Sequence, residues 1–483
     1  MKKQNVIFYG FWLLLLVFVS CKSDDESWNY SPNGSLEEYQ PVEKYTDYGE
    51  NPFVAVADNP FSTFAIDADG ASYANMRRFP NLGQLPPVES VRVEEFINYF
   101  DFDYDNPKSG TVSVNSELFT CPWTNGHALL RIGLKGKSLD TKPLSNIVFL
   151  IDVSGSMSDP EKLPLLKNGF KLLVDQLSES DRISIVTYAG SSAVLLNGAY
   201  GDEKQKIKAA IDKLGAGGST AGAEGIVTAY DIAEKYFIAG GNNRVVIGTD
   251  GDFNVGPVSN NDLVKLIEEM RETGVFLTVL GVGSGNLNDS MLEQLANNGN
   301  GNYEYIDNIE QLKKVFVYDI HKFFTVAKDC KIQVIFDSVY VQQYRLIGYE
   351  NRMLASEDFE NDSVDAGEIG AGQTITALYE IVPKPGLTFY NVATIDFRYK
   401  MPDQNNSTLI NIACDNSLTT FESASENARF AAALAGWGML LKQSKYKGNL
   451  KASDVKNWAA NAKTFDPNGF RSEFVNLISK MPL

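Results

Sequence analysis

The chain has 483 residues, 44% of them hydrophobic and 22% charged, enough for two or three domains with cores of their own. Its formal net charge is -18. A surface this acidic repels a phosphate backbone, and no run of Lys and Arg offers a local exception, so nucleic acid is not an expected partner.

In chain order, residues 1–20 read as a signal peptide: Lys2 and Lys3, then an apolar run from Val6 to Val19. That run is shorter than the roughly 20 residues a membrane span needs. "VFVSC", closing on Cys21, resembles a bacterial lipoprotein cleavage box, with Phe18 where Leu is more usual. The resemblance implies cleavage before Cys21 and lipidation there, hence a membrane anchor. "KSDDES" comes next and resembles the acidic surface-export tag of Bacteroidetes lipoproteins, with Lys22 where the inner-membrane retention signal has Asp. The expected location is the outer membrane, with exposure at the cell surface implied by the tag. Residues 21–50 are otherwise rich in Ser, Asp, Tyr, Pro and Gly and read as a flexible tether.

Residues 51–110 suggest a small N-terminal α/β region: a strand at 62–67, helices at 71–79 and 91–99, and a Pro-Pro turn between them. Residues 111–143 alternate polar and apolar, as half-buried strands do. From 144 to 327 the pattern changes. Continuous apolar runs ("NIVFLID", "RISIVTYA", "RVVIGTD", "VFLTVLGVG", "GNYEYID") alternate with amphipathic helices at 161–177, 203–214, 221–238, 260–273, 288–298 and 309–327. Strands apolar on both faces and separated by helices imply a doubly wound, mostly parallel sheet covered on both sides. The last helix leads straight into the β region after 328. Period-two alternation returns over 328–418, and 419–483 reads as helices at 422–441 and 452–479. Two strands alone are marginal, so 111–143 needs the strands after 328 as partners. The α/β domain is therefore expected to be inserted in a β-sandwich formed by both flanks.

In an open parallel sheet, ligands bind beyond the carboxyl ends of the strands. There the first run exits into "DVSGSM", carrying Asp152, Ser154 and Ser156, and "RVVIGTD" ends on Asp250. Thr220, in "GAGGSTAGAEG", opens a helix between them. Two carboxylates and three hydroxyls are all oxygen donors, the set that suits a hard divalent cation. Short side chains on a Gly-containing turn reach the about 2.0–2.1 Å that Mg²⁺ demands. D-x-S-x-S, a later Thr and an Asp in T-D-G resemble the metal-ion-dependent adhesion site of von Willebrand factor type A domains, and all five positions match. The resemblance implies that the cation is Mg²⁺, Mn²⁺ or Ca²⁺. Asp152, Ser154 and Ser156 would meet it, and Thr220 and Asp250 would bind directly or through water. A protein partner would supply a carboxylate for the last position. The flanks ("FSTFAIDADGASYANMRRF", "YRLIGYENR", "ARFAAALAGWGMLLK") resemble those of one bacterial subfamily of these proteins.

The alternatives have less material. No G-x-S-x-G elbow occurs, and the histidines are only two, His127 and His321, so a serine hydrolase lacks its base. "LGVGSGN" has Asn286 where a dinucleotide loop needs Gly, and no P-loop is present. "DGDFN" (Asp250, Asp252, Asn254) and "DADG" (Asp67, Asp69) lack the Glu of a full calcium loop and read as turns. Cys121, Cys330 and Cys414 are odd in number, so at least one is free, and each reads as a small buried hydrophobe. Two functions stay open: a non-enzymatic, cation-dependent binding protein, and an architectural subunit of an envelope complex in which the metal is structural.

Overall fold

The computed structural model describes residues 43–218, 222–251, 259–386, 391–414 and 417–481. The signal peptide, Cys21 and the acidic tag lie outside the described residues.

The N-terminal part holds β1 (Val54–Ala55), β2 (Phe61–Ala65), α1 (Ala71–Met76), α2 (Arg78–Asn81) and α3 (Val93–Asn98). Next come β3 (Val112–Thr120) and β4 (Ala128–Gly136). The inserted domain runs β5 (Ser145–Asp152), α4 (Leu163–Asp175), β6 (Arg182–Tyr188), β7 (Ser192–Tyr200), α5 (Lys204–Asp212), α6 (Gly222–Lys235) and β8 (Asn242–Thr249). It continues with α7 (Asn260–Arg271), β9 (Phe276–Val282), α8 (Asp289–Asn298), β10 (Asn302–Ile306) and α9 (Ile309–Lys313).

Its sheet has the order β10-β9-β8-β5-β6-β7, parallel except for β7. β5 is central and buried throughout. The two-residue period sends Val148 and Leu150 to one face, against Ile226 of α6 and Leu292 of α8. It sends Phe149 and Ile151 to the other, against Leu166 and Phe170 of α4. The antiparallel edge strand β7 escaped the sequence reading: its apolar run, "AVLL", is short and does not alternate, and Val194 and Leu195 are exposed.

The frame is completed by β11 (Thr325–Phe336), β12 (Val341–Ile347), β13 (Met353–Leu354), β14 (Gly367–Gly370), β15 (Thr374–Pro383), β16 (Ala393–Lys400) and β17 (Ser407–Ala413). Two antiparallel sheets form, β1-β12-β15-β4-β3 and β13-β2-β11-β16-β17. β4 pairs with β15, setting Ile132 opposite Ala377, so the flanks of the inserted domain do meet. One core joins the two sheets, with Ile132 and Ile375 from the first and Ile332 and Phe397 from the second. The N-terminal part is not set apart from this sandwich: it lends β1 to one sheet and β2 to the other.

The helix expected over 309–327 is a correction. α9 ends at Lys313, a π turn covers Lys314–Tyr318, a 3-10 turn covers Ile320–Phe323, and β11 starts at Thr325. The physical reason is pairing: Thr325 and Ala327 already face Gly370 and Ile369 of β14, so the ladder claims residues the helix would need. Lys314 and Lys322 both bind Asp319, tying the π turn to the 3-10 turn.

At the C-terminus α10 (Glu426–Leu441) starts where the Ser425 hydroxyl accepts from Ala428 N–H. The helix expected over 452–479 is two, α11 (Ala452–Ala460) and α12 (Phe470–Ile478). "DPNG" separates them: Pro467 disfavours a helical Asp466, and Gly469 has φ of 82°. Asp466 then accepts from the N–H groups of Arg471 and Ser472. Phe430, Trp437 and Phe474 of these helices share a core with Tyr73 and Phe96 of the N-terminal part.

Candidate metal centre

β5 and β8 are parallel neighbours in register to Ile151 and Gly248. Asp152 and Asp250 therefore leave the same edge of the sheet, and both are fully buried. Past Asp152 the chain turns back because Asp152 Oδ1 accepts from Ser154 N–H at 2.8 Å. That turn sets the Ser154 and Ser156 hydroxyl oxygens 3.1 Å apart. The Ser156 hydroxyl also donates to Asp250. Asp152, Ser154, Ser156 and Asp250 thus form one hydrogen-bonded group.

The loop before α6 is sewn to this exit loop. Gly217 N–H donates to Val153 C=O at 2.7 Å, and Gly155 N–H donates to Gly218 C=O at 3.3 Å. Gly218 has φ of 106°, a conformation that needs glycine. Thr220 itself lies outside the described residues.

The two carboxylates are held differently. Asp152 Oδ2 accepts from the Thr249 hydroxyl at 3.0 Å, and Thr249 Oγ1 accepts from Gly251 N–H at 3.0 Å. Burial pushes the Asp152 carboxyl above its ordinary range, with the nearby Asp250 charge adding to the rise. Burial also works to raise Asp250, but hydrogen bonds from Asn286 and the Lys162 cation outweigh it and hold the carboxyl below its ordinary range. Lys162 Nζ lies 2.9 Å from Asp250 Oδ2 and 2.8 Å from Asn286 Oδ1. Asn286 Nδ2 donates to Asp250 Oδ2 at 3.0 Å. The lysine stem lies on Gly283, where a Cβ would collide with Lys162 Cε.

Lys162, Thr249 and Asn286 are the site residues the sequence reading missed. Thr249 had a signal, since it precedes Asp250 in "TDG". Lys162 and Asn286 had none, because only the fold carries their loops to Asp250. The Asn286 that spoils a dinucleotide motif supplies an amide to this site instead. The loop bearing it is also strapped from the N-terminal side. Glu43 Oε1 accepts from Gly285 N–H at 2.8 Å, and Lys44 N–H donates to Leu287 C=O at 2.9 Å.

The donor set fits a hard divalent cation: a buried carboxylate with neutral partners sits beside two converging hydroxyls. Among the described residues no three His, Cys, Asp or Glu side chains form a cluster able to hold a metal. Neither histidine is a hydrogen-bond partner of Ser154 or Ser156: His127 Nδ1 lies 2.6 Å from Glu380 in the frame, and His321 sits by Lys322 and Asp319. Asp67 pairs with Arg352, and Asp69 accepts from Tyr303 N–H, so "DADG" is a structural turn. Asp252 and Asn254 lie outside the described residues. Cys121, Cys330 and Cys414 are all buried.

Family comparisons agree with this architecture. The model described as von Willebrand factor type A domain matches residues 146–317. One described as von Willebrand factor matches 40–131, and the C-terminal model of the uncharacterized protein YfbK matches 321–390 and 386–483. Uncharacterized protein YfbK of Escherichia coli is 42% identical over 464 residues, covering 90% of this chain and 80% of that protein. Among solved structures, von Willebrand factor type A from Catenulispora acidiphila is 14% identical, covers 78% of this chain and 91% of that one, and has a TM-score of 0.44. The conserved hypothetical protein BatB from Bacteroides thetaiotaomicron is 21% identical, covers 37% of this chain and 98% of that one, and has a TM-score of 0.33. With a von Willebrand factor type A domain set between flanks that match YfbK at both ends, the chain belongs to the YfbK family.

Proposed function

We propose that this protein is an envelope lipoprotein that grips a protein partner through a divalent cation, and that it is not an enzyme. Domains of this type generally mediate protein–protein interactions. The observation that carries the reading is Asp152: a fully buried carboxylate whose hydrogen-bond donors among the described residues, Ser154 N–H and the Thr249 hydroxyl, are neutral, set beside the Ser154 and Ser156 hydroxyls. In this reading Asp152, Ser154 and Ser156 hold Mg²⁺, Mn²⁺ or Ca²⁺, with Thr220 and Asp250 completing the site. The bound cation would supply an electrophilic position that a partner's carboxylate oxygen can fill.

Lys162 changes the charge balance of the site. Two carboxylates merely cancel a divalent cation. With the lysine beside Asp250, the loaded site is net positive, which favours an anionic ligand residue. Lipidation at Cys21 would hold the domain on the outer membrane, facing the periplasm or the cell surface.

The alternative reading is an architectural subunit of an envelope complex in which the metal is only structural. A pull-down from detergent-solubilised envelope with the full chain separates the two. Partner capture in Mg²⁺ that is lost in EDTA and in Asp152→Ala supports the metal-dependent grip. Capture that survives both, with the fold intact by circular dichroism, favours the architectural role.

A further inference from the structure

The first described residues of the chain are bonded to the loop that serves the metal centre. Residues 43–46 fall in the stretch that composition reads as a tether, yet each of the four makes a hydrogen bond. Glu43 Oε1 accepts from Gly285 N–H at 2.8 Å, and Lys44 N–H donates to Leu287 C=O at 2.9 Å. Lys44 C=O accepts from Ser290 N–H at 3.3 Å, and the Thr46 hydroxyl donates to Ser290 Oγ at 2.8 Å. These bonds fall on both sides of Asn286. Asn286 in turn donates to Asp250 Oδ2 at 3.0 Å and accepts from Lys162 at 2.8 Å. The strap therefore sets where the amide that orients Asp250 stands.

Polar bonds, not a core, hold the strap down. None of residues 43–46 is buried. Its other side rests on the N-terminal part: Glu43 Oε2 pairs with Arg78 and accepts from the Tyr45 hydroxyl at 2.7 Å, and Asn75 Nδ2 donates to the Tyr45 oxygen at 2.8 Å. Burial works to raise the Glu43 carboxyl, but hydrogen bonds from Arg78, Tyr45 and Gly285 outweigh it and hold the carboxyl below its ordinary range. Gly285 N–H thus meets an ionised acceptor, the stronger kind. The strap can open without unfolding the cores beneath it, because no buried apolar side chain of these four residues leaves with it. The Tyr305 hydroxyl holds the start of the loop at Gly283 C=O, 2.8 Å away, whether or not the strap is docked. Opening the strap should change the affinity of the metal centre rather than abolish it.

We infer that residues 43–46 regulate the metal centre: docked, they hold Asn286 against Asp250 and favour the cation; released, they loosen Asn286 and weaken its binding. Glu43 is a positioning residue that acts through Asn286. The inference rests on the reading of Asp152, Ser154, Ser156 and Asp250 as a cation site. Coupling of this kind is reciprocal, so a bound cation must in turn hold the strap down.

The test is calorimetric titration of the full chain with Mg²⁺, Mn²⁺ and Ca²⁺, together with hydrogen exchange with and without the ion. Glu43→Ala weakens cation binding about fivefold, the low end for coupling between sites. Glu43→Gln, which keeps an acceptor for Gly285 N–H, lies nearer to wild type. Thr46→Val, which removes the bond to Ser290, is the milder strap variant and moves Kd the same way. Asn286→Ala removes the bond to Asp250 itself and weakens binding about tenfold or more. In the wild-type chain, a saturating ion slows exchange at the Lys44 and Gly285 amides; a strap of purely structural worth would not respond to it. Equal Kd in wild type and Glu43→Ala, or in wild type and Asn286→Ala, overturns the inference and leaves the metal centre standing. So does exchange at those two amides that is indifferent to the ion. No binding of any of the three ions to wild type overturns the reading of the site, and this inference with it.

Discussion

Replacing Lys162 by Met keeps the aliphatic stem that lies on Gly283 and removes the cation 2.9 Å from Asp250. Asp250 is fully buried, so solvent does not replace the lost counter-charge. Breaking a buried ion pair from one side costs about 3–5 kcal/mol. Asn286 still donates to Asp250 at 3.0 Å, so the lower end, about 3 kcal/mol, is expected. A divalent cation supplies the missing positive charge. Wild-type protein gains about 2.7 kcal/mol at a metal concentration a hundred times its Kd. The variant gains more, because the metal also relieves Asp250. Urea titration in EDTA and in saturating Mg²⁺ measures both terms. Lys162→Met should be clearly weaker in EDTA and close to wild type in Mg²⁺. Equal stability in EDTA, or an equal Mg²⁺ increment in the two proteins, refutes the assignment of Lys162 as the counter-charge of this site.

Gly283→Ala should give the same Mg²⁺-dependent pattern, because its φ of 80° strains any side chain and the new methyl displaces Lys162; metal titration followed by intrinsic fluorescence checks it. Burial, with Glu350 and Asp67 nearby, pushes the Glu94 carboxyl up to about 8. A carboxyl raised in the folded state contributes stability at low pH that is lost as pH rises from its ordinary value towards 8. Glu94→Gln should therefore match wild type at pH about 4 and be the more stable protein at pH about 8, read from urea midpoints across that window. Cys121, Cys330 and Cys414 should resist a thiol reagent in the native protein and react together on unfolding, since all three are buried and burial raises the Cys121 thiol to about 12.

Much of the fold was legible because its signals are local. "NIVFLID" reads as a buried strand since both faces of β5 are covered, and the period-two runs after 328 read as antiparallel strands with one face in a core. The pieces that escaped are those whose shape depends on a distant partner. β1 is two residues long and exists only by pairing with β12. The helix expected to reach 327 stops short of Thr325, which β14 recruits as a strand residue. Nothing near either segment announces this.

The candidate site divides the same way. Asp152, Ser154 and Ser156 lie within five residues, so one strand and its exit loop bring them together, and this much the sequence determined by itself. Asp250 could be added because a parallel sheet places strand ends on one edge. Lys162, Asn286 and the strap from Glu43 were decided only by tertiary structure. The β9–α8 loop reaches Asp250 because β8 and β9 are neighbours in the sheet, and Lys162 reaches it from the start of α4. A charge that stands beside a site across 88 residues of chain leaves no periodicity or spacing to read. Local pattern picked out the candidate ligands, and three-dimensional packing placed the lysine beside one of them.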